Sequence, residues 1–140
     1  MSEAEVVSVD VRLLDDDLRD VRQLRFVKID AEGGDFDVLR GMRRSLTTLR
    51  PIVVFESGKE SAARLYNYTR EEFFAFFEGI DYGMRDILGC PFEKAAWEVF
   101  QAWYVVAYPH ELAGSTIDAH SLAIAENIIE LLAGTEGRPV

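Results

Sequence analysis

The sequence predicts an α/β fold in one domain over residues 1–140: a mainly parallel sheet whose last strand runs antiparallel, with helices on its faces. Three observations predict it. The runs RFVKIDA (25–31), PIVVFE (51–56) and AWYVVAY (102–108) carry the β-branched and aromatic residues of strands. Stretches of helical spacing separate the earlier runs, and strand–helix–strand order implies right-handed crossovers between parallel neighbours. No helix separates the last two strand-like runs, so one of them turns back.

Taken in order, residues 7–13 alternate Val7, Val9, Val11 and Leu13 with Ser8, Asp10 and Arg12, the period-two pattern of a strand with one buried face. DDDLRD (15–20) places acids at the front of a short segment, which suits either a helix start or a solvated charged turn. The apolar residues of 25–31 form nearly a continuous run, the mark of an interior strand. Phe36, Leu39, Met42, Leu46 and Leu49 line one face of a helix over 35–49. Gly41 sits inside it at a cost of about 1 kcal/mol against Ala and reads as a close approach of helix to sheet. Arg50-Pro51 ends that helix, and Pro51 opens the next strand, 51–56.

Thr69-Arg70-Glu71-Glu72 is a capping box. The helix it opens carries Phe73, Phe74, Phe76, Phe77 and Ile80, whose helical spacing reads as core packing before a ligand cage. YGMRDIL (82–88) reads as a strand, 89–100 as a loop with one helical turn, and 102–108 as a strand ended by Pro109. Ser115 or Thr116 caps a last helix, about 116–133, stopped by Gly134; its broad apolar face covers the sheet or shares a dimer interface.

Composition narrows the function. Hydrophobic residues make up 49% and charged residues 29%, ordinary for a globular protein, but the net charge is −10. Such an acidic surface repels nucleic-acid phosphates and anionic membranes, so neither is an expected partner. No run approaches the about 18 apolar residues of a membrane span. The start MSEAEVVSVD is unlike a signal peptide, and the single Cys90 allows no internal disulfide, so a cytoplasmic protein is expected. Cys90, His110 and His120 lie far apart in sequence and form neither a zinc signature nor a nucleophile pair, and no residue is assigned as a metal ligand. Trp97 and Trp103 read as core or loop anchors. Lys28, inside a strand, pairs with an acid or reaches water.

The candidate site residues are acids at strand ends. Asp30 and Glu32 follow one strand and Glu56 ends the next. In open α/β sheets ligands bind beyond the carboxyl ends of the strands, and adjacent strands lie about 5 Å apart, so neighbouring strands would bring these acids into one crevice. Asp30 and Glu32 also fit a plain alternative, acids dressing a helix N-terminus.

The stretch VKIDAEGGDFDVLRGMRRSLTTLRPIVVFE (27–56) resembles the carboxyl-terminal half of an FkbM-type methyltransferase domain. The matching positions are Lys28, Ile29, Asp30, Glu32 and Gly33, then Leu39 and Gly41, then Pro51 and Phe55-Glu56. The lead-in Val9 to Asp16, the segment Glu71 to Ile87 and the closing Val106-Ala107-Tyr108-Pro109 extend the resemblance over about residues 6–109. It implies a Rossmann-like domain that uses S-adenosylmethionine to methylate an oxygen of a small-molecule hydroxyl acceptor, often a sugar. Asp30 would then lie near both the methyl donor and the acceptor, a cofactor-binding and catalytic position, with Glu32 and Glu56 shaping the site. A carboxylate there would take the proton of an attacking hydroxyl, or the three acids would hold a cation that orients the acceptor.

Two features depart from the family pattern. Asp81 stands before Tyr82 where glycine is usual, and Asp tolerates the left-handed backbone such a turn needs. No glycine precedes Gly33, so the Gly-rich turn that lets a backbone approach the cofactor has no counterpart upstream. The chain then reads as a portion of a longer methyltransferase, as a half-domain completed by another chain, or as a non-catalytic interaction module or inactive remnant. The strand at 25–31 would lack its inner neighbour, so either residues 6–13 fill the gap, or two chains join in a homodimer, or an N-terminal half supplies the missing strand.

Overall fold

The computed structural model describes residues 7–99, 103–119, 122, 123 and 126. Four strands, β1 (Phe26–Lys28), β2 (Ile52–Glu56), β3 (Tyr82–Asp86) and β4 (Tyr104–Pro109), form one sheet in the order β1-β2-β4-β3. β1 and β2 are parallel, with Phe26 opposite Ile52 and Lys28 opposite Val54. β4 runs antiparallel to both β2 and β3. Three strands thus share one direction and the last opposes them. The pairings are not mainly parallel, however: β4 folds back on β3 without a crossover helix and inserts beside β2, so two of the three pairings are antiparallel.

The α-helices delimited among the described residues are α1 (Leu14–Asp17), α2 (Asp35–Gly41), α3 (Arg43–Leu49), α4 (Lys59–Leu65) and α5 (Arg70–Glu78). The crossover α2–α3 explains why β1 and β2 are parallel. Several expectations are corrected. Residues 7–13 form no strand; they lack regular structure and their valines are exposed, Val11 to 94%. Alternation makes a strand only where a sheet edge accepts it, and no strand among the described residues pairs with this segment. β1 lies at the edge of the sheet rather than inside it, with Phe26 56% exposed.

The helix expected over 35–49 breaks at Met42, which leaves helical geometry at φ −120°. Gly41 admits the chain at 13–14 and not the sheet, since a Cβ there would stand 3.5 Å from the Leu13 side chain. Asp15 then caps the second half: its carboxylate accepts from the Arg44 amide at 2.8 Å, the Ser45 amide at 2.7 Å and the Ser45 hydroxyl at 2.6 Å. The charged DDD run is therefore a cap delivered from 30 residues away in sequence. α4 was not legible; its N-cap is Gly58 without a side-chain cap, and it buries only Ala62 and Ala63. At the other end of the chain, helical backbone begins with a 3-10 turn at His110–Leu112 and a π-helical turn at Ala113–Ile117, ahead of the expected caps. Most of the predicted helix 116–133 lies outside the described residues, as does His120.

Other expectations hold. The Thr69 box is complete, with the Thr69 hydroxyl accepting from the Glu72 amide and the Glu72 carboxylate accepting from the Thr69 amide at 2.8 Å. Asp81 takes φ 58°. The phenylalanines are core: Phe73 packs on Phe36, Phe55, Phe77 and Trp97 at centroid distances of 5.1, 6.1, 5.2 and 5.3 Å. This cluster seals α2 and α5 against Val53, Phe55, Val105 and Ala107 of β2 and β4, all nearly inaccessible. At the amino end of β2, Tyr82 donates to the Pro51 carbonyl at 2.9 Å, and Arg50 forms a bidentate pair with Glu111 that holds the Glu111 carboxyl down at about 2.

Asp15 supplies a test of this scheme. Burial works to raise its pKa, but the hydrogen bonds from Ser45 and Arg44 overcome that and leave it lowered. A lowered carboxylate stabilises the fold above its unfolded pKa, and that contribution is lost as pH falls through the folded value. Asp15→Ala is expected to cost about 1–2 kcal/mol in urea unfolding at pH 7. The gap to wild type should narrow as pH drops below about 3.8.

Candidate functional site

The parallel register of β1 on β2 determines what meets at the carboxyl end of the sheet. Carried two residues past Lys28 and Val54, it sets Asp30 level with Glu56. Glu56 stands opposite Tyr104 on β4, and the β3–β4 register, carried one residue past Asp86 and Val105, sets Ile87 level with Tyr104. Asp30, Glu56, Tyr104 and Ile87 therefore form one row across the rim. Residues of one row project to one face. Burial alternates along β2, with Val53 and Phe55 inside, so this row belongs to the face away from the aromatic core.

The loops beyond β1 and β2 are both conformationally tight. Residues 31–34 form a turn closed by the Gly34 amide donating to the Ala31 carbonyl at 2.9 Å. Its central residues, Glu32 and Gly33, both have positive φ, 48° and 96°. Glycine is needed at the second position for that reason and because Tyr66 lies 3.3 Å from where a Cβ would be. After β2, Gly58 leaves no room for a side chain, since Ala62 would stand 2.6 Å from its Cβ, and Lys59 adopts φ 46°. Left-handed backbone at non-glycine residues concentrates where surrounding structure over-determines it, often at ligand sites.

The acids differ in their surroundings. Asp30 is paired with Lys28 at 2.5 Å, and this hydrogen bond raises the Lys28 pKa. The Glu56 carboxylate has no hydrogen bond or ion pair among the described residues. Glu32 is exposed on its turn. The extended register thus brings Asp30 and Glu56 into one row, as expected if the two strands are neighbours, and Glu32 is exposed on the turn that follows β1. Among the described residues no three acids, histidines or cysteines converge as a cation site, so the cation-holding arrangement of Asp30, Glu32 and Glu56 is not built.

Sequence reasoning missed Asp35. It is only 2% exposed, and one carboxylate oxygen accepts from the Glu56 amide at 3.2 Å while the other has no partner. Asp35 thereby ties the start of α2 to the end of β2 and fixes the backbone that carries Glu56. The signal was present in the GGD order, an acid opening a helix after a glycine turn. Ser57, buried directly after Glu56 with its hydroxyl unpartnered, was also missed, as was Lys59, whose pKa burial lowers. Cys90 is exposed, and His110 is a turn residue whose Nδ1 lies 2.7 Å from Asp81. Trp97 anchors the core, but Trp103 is 66% exposed and does not.

The family model of the methyltransferase FkbM domain matches residues 1–78. The chain belongs to the FkbM methyltransferase family. The matched segment carries β1, β2 and α1 to α5, and with them Asp30, Glu32, Asp35 and Glu56; β3 and β4 lie beyond it. Comparisons with curated proteins and with solved structures give no match. Among the described residues no helix is long and apolar enough to cross a membrane.

The Asp35 tether in this FkbM domain can be separated from its charge. Asp35→Ala should cost about 1–3 kcal/mol, because the Glu56 amide loses its partner in the interior. Asp35→Asn keeps an acceptor for that amide and should retain most of the stability. Amide exchange at Glu56 should accelerate in the alanine variant only, which hydrogen exchange read by NMR would show.

Proposed function

We propose that this chain is the acceptor-side portion of an S-adenosylmethionine-dependent O-methyltransferase with a Rossmann-like sheet, acting on a small-molecule hydroxyl. The carrying observation is the parallel pairing of β1 with β2, whose register, extended two residues, brings Asp30 level with Glu56 at one rim. Glu56 takes the role of base: its carboxylate has no partner among the described residues, and its backbone is fixed by Asp35. Asp30 is held by Lys28, and so serves as an oriented charge rather than as the proton acceptor. Strained turns directly after both strands support the same end of the sheet as the site.

The described residues do not by themselves fit the whole cofactor. S-adenosylmethionine brings an electrophilic methyl group, and its nucleoside needs a backbone cradle. Among the described residues no glycine-rich turn precedes β1, and the outer edge of β1 has no neighbouring strand. The cradle is therefore supplied from outside these elements, by an N-terminal half or by a second copy of the chain in a homodimer, joined through that free edge. The same observation supports a second reading, in which the chain is a non-catalytic module that keeps the fold and has lost the chemistry.

Light scattering and a thermal shift separate these readings. The homodimer form of the methyltransferase reading expects a particle of about twice 15.9 kDa whose melting point rises with S-adenosylhomocysteine. In such a particle Glu56→Gln should lower turnover by about 10²-fold or more and leave the ligand-induced shift in place. A monomer with no shift at millimolar ligand excludes the homodimer form, and the module reading follows if adding an N-terminal half restores no shift either.

A further inference from the structure

We propose that the outer edge of β1 is a docking surface for residues 7–13 of a second copy of this chain, the two copies exchanging these arms. This deepens the homodimer form of the reading above and rests on that reading for the second copy. The edge is open. The Ile29 amide donates to the Val54 carbonyl and the Ile52 amide to the Arg25 carbonyl, so alternation turns the backbone groups of Phe26 and Lys28 away from β2. Both residues are exposed, and among the described residues no strand lies beyond them. An edge of this kind is a template for a further strand.

The arm supplies what the edge lacks. Val7, Val9, Val11 and Leu13 are each more than half exposed, and residues 7–13 have no regular structure. Their period of two sets these four side chains on one face of an extended strand, with Ser8, Asp10 and Arg12 on the other. The root of the arm sits on the helices. The Leu13 side chain lies against Gly41 of α2, and the Asp15 carboxylate holds the Arg44 and Ser45 amides at the start of α3. The arm thus leaves the body from the helical layer, and no strand of its own sheet bonds to it. Added to the β1 edge of a second copy, its backbone pairs with Phe26 and Lys28. Phe26 belongs to the same alternate set as Asp30, so its exposed ring is on the face away from the aromatic core, where the valine row can lie beside it. Main-chain bonds give such strand addition its affinity, and the alternating side chains fix its register. Each chain has one arm and one β1 edge, so mutual exchange closes at two copies.

Cross-linking and light scattering of the full chain, without cofactor, test this. In a Cys90→Ser background, isotopically labelled chains carrying Val7→Cys, Val9→Cys or Val11→Cys are each mixed with unlabelled Phe26→Cys and oxidised mildly. Mass spectrometry should find a disulfide between labelled and unlabelled chains for at least one valine position, and far less of it for Asp10→Cys, whose side chain belongs to the other face. Val9→Pro removes a backbone donor from a segment on which the fold of the single chain does not depend. It should weaken self-association by about tenfold or more, with an unchanged circular dichroism spectrum. Four results would overturn the proposal: a wild-type chain that stays monomeric at millimolar concentration, unchanged self-association in Val9→Pro, cross-linking of Asp10→Cys as readily as of the valine positions, or a doubly substituted chain, Val9→Cys with Phe26→Cys, that closes on itself while the mixed chains do not join. Because no cofactor is present, a failed S-adenosylhomocysteine shift leaves these results standing, and failure of the exchange leaves the N-terminal-half form of the methyltransferase reading untouched.

Discussion

The rest of the structure depends on the parallel pairing of β1 with β2. Three residue pairs define it, and the Ile29 amide donating to the Val54 carbonyl at 2.8 Å extends it toward the rim. A pairing this short is weak alone. It is held because β2 is packed on the opposite side of the sheet by the ring cluster around Phe73, and because α2–α3 spans from one strand to the other. The register then leaves no freedom at the carboxyl end: a slip of one residue between the strands would turn either Asp30 or Glu56 to the buried face. Charge cannot go there without a large desolvation cost, so the hydrophobic pattern of both strands enforces where the acids stand.

From that constraint the site follows in steps. Glu56 leaves the sheet with its amide anchored by Asp35 and its carboxylate without a partner among the described residues, while Asp30 is ion-paired with Lys28. One rim thus carries a carboxylate without a partner among the described residues beside an ion pair. Membership of the FkbM family gives this arrangement its chemical context, and among the described residues the outer edge of β1 has no neighbouring strand.

Most of the fold was legible where local and global preferences agree. The capping box at Thr69, the apolar run of 52–56, the phenylalanine-bearing helix and the turn at Asp81 each announce themselves within a few residues. What escaped was non-local. The alternation of 7–13 is a real strand pattern that no strand of its own sheet receives. The interior reading of 25–31 rested on apolar content, which cannot distinguish a central strand from an edge strand whose neighbour is absent. The break at Met42 follows from Asp15 capping α3 across a long loop. α4 buries little beyond two alanines and so has no hydrophobic period to read. At the site, Asp30 and Glu56 were legible because each ends an apolar run; Asp35 was not, because its role depends on which side of the sheet it reaches.

The most direct measurement of the central claim is a disulfide scan across the rim. Parallel neighbours lie about 4.8 Å apart, inside the Cα range of about 4.4–6.8 Å that a disulfide spans. In a Cys90→Ser background, Asp30→Cys combined with Glu56→Cys should cross-link within one chain on mild oxidation, while Asp30→Cys combined with Asp86→Cys, two strands further along the sheet, should not. A chain that fails to close the first pair, or closes the second as readily, does not hold these acids side by side, and the methyl-transfer reading would lose its geometric basis.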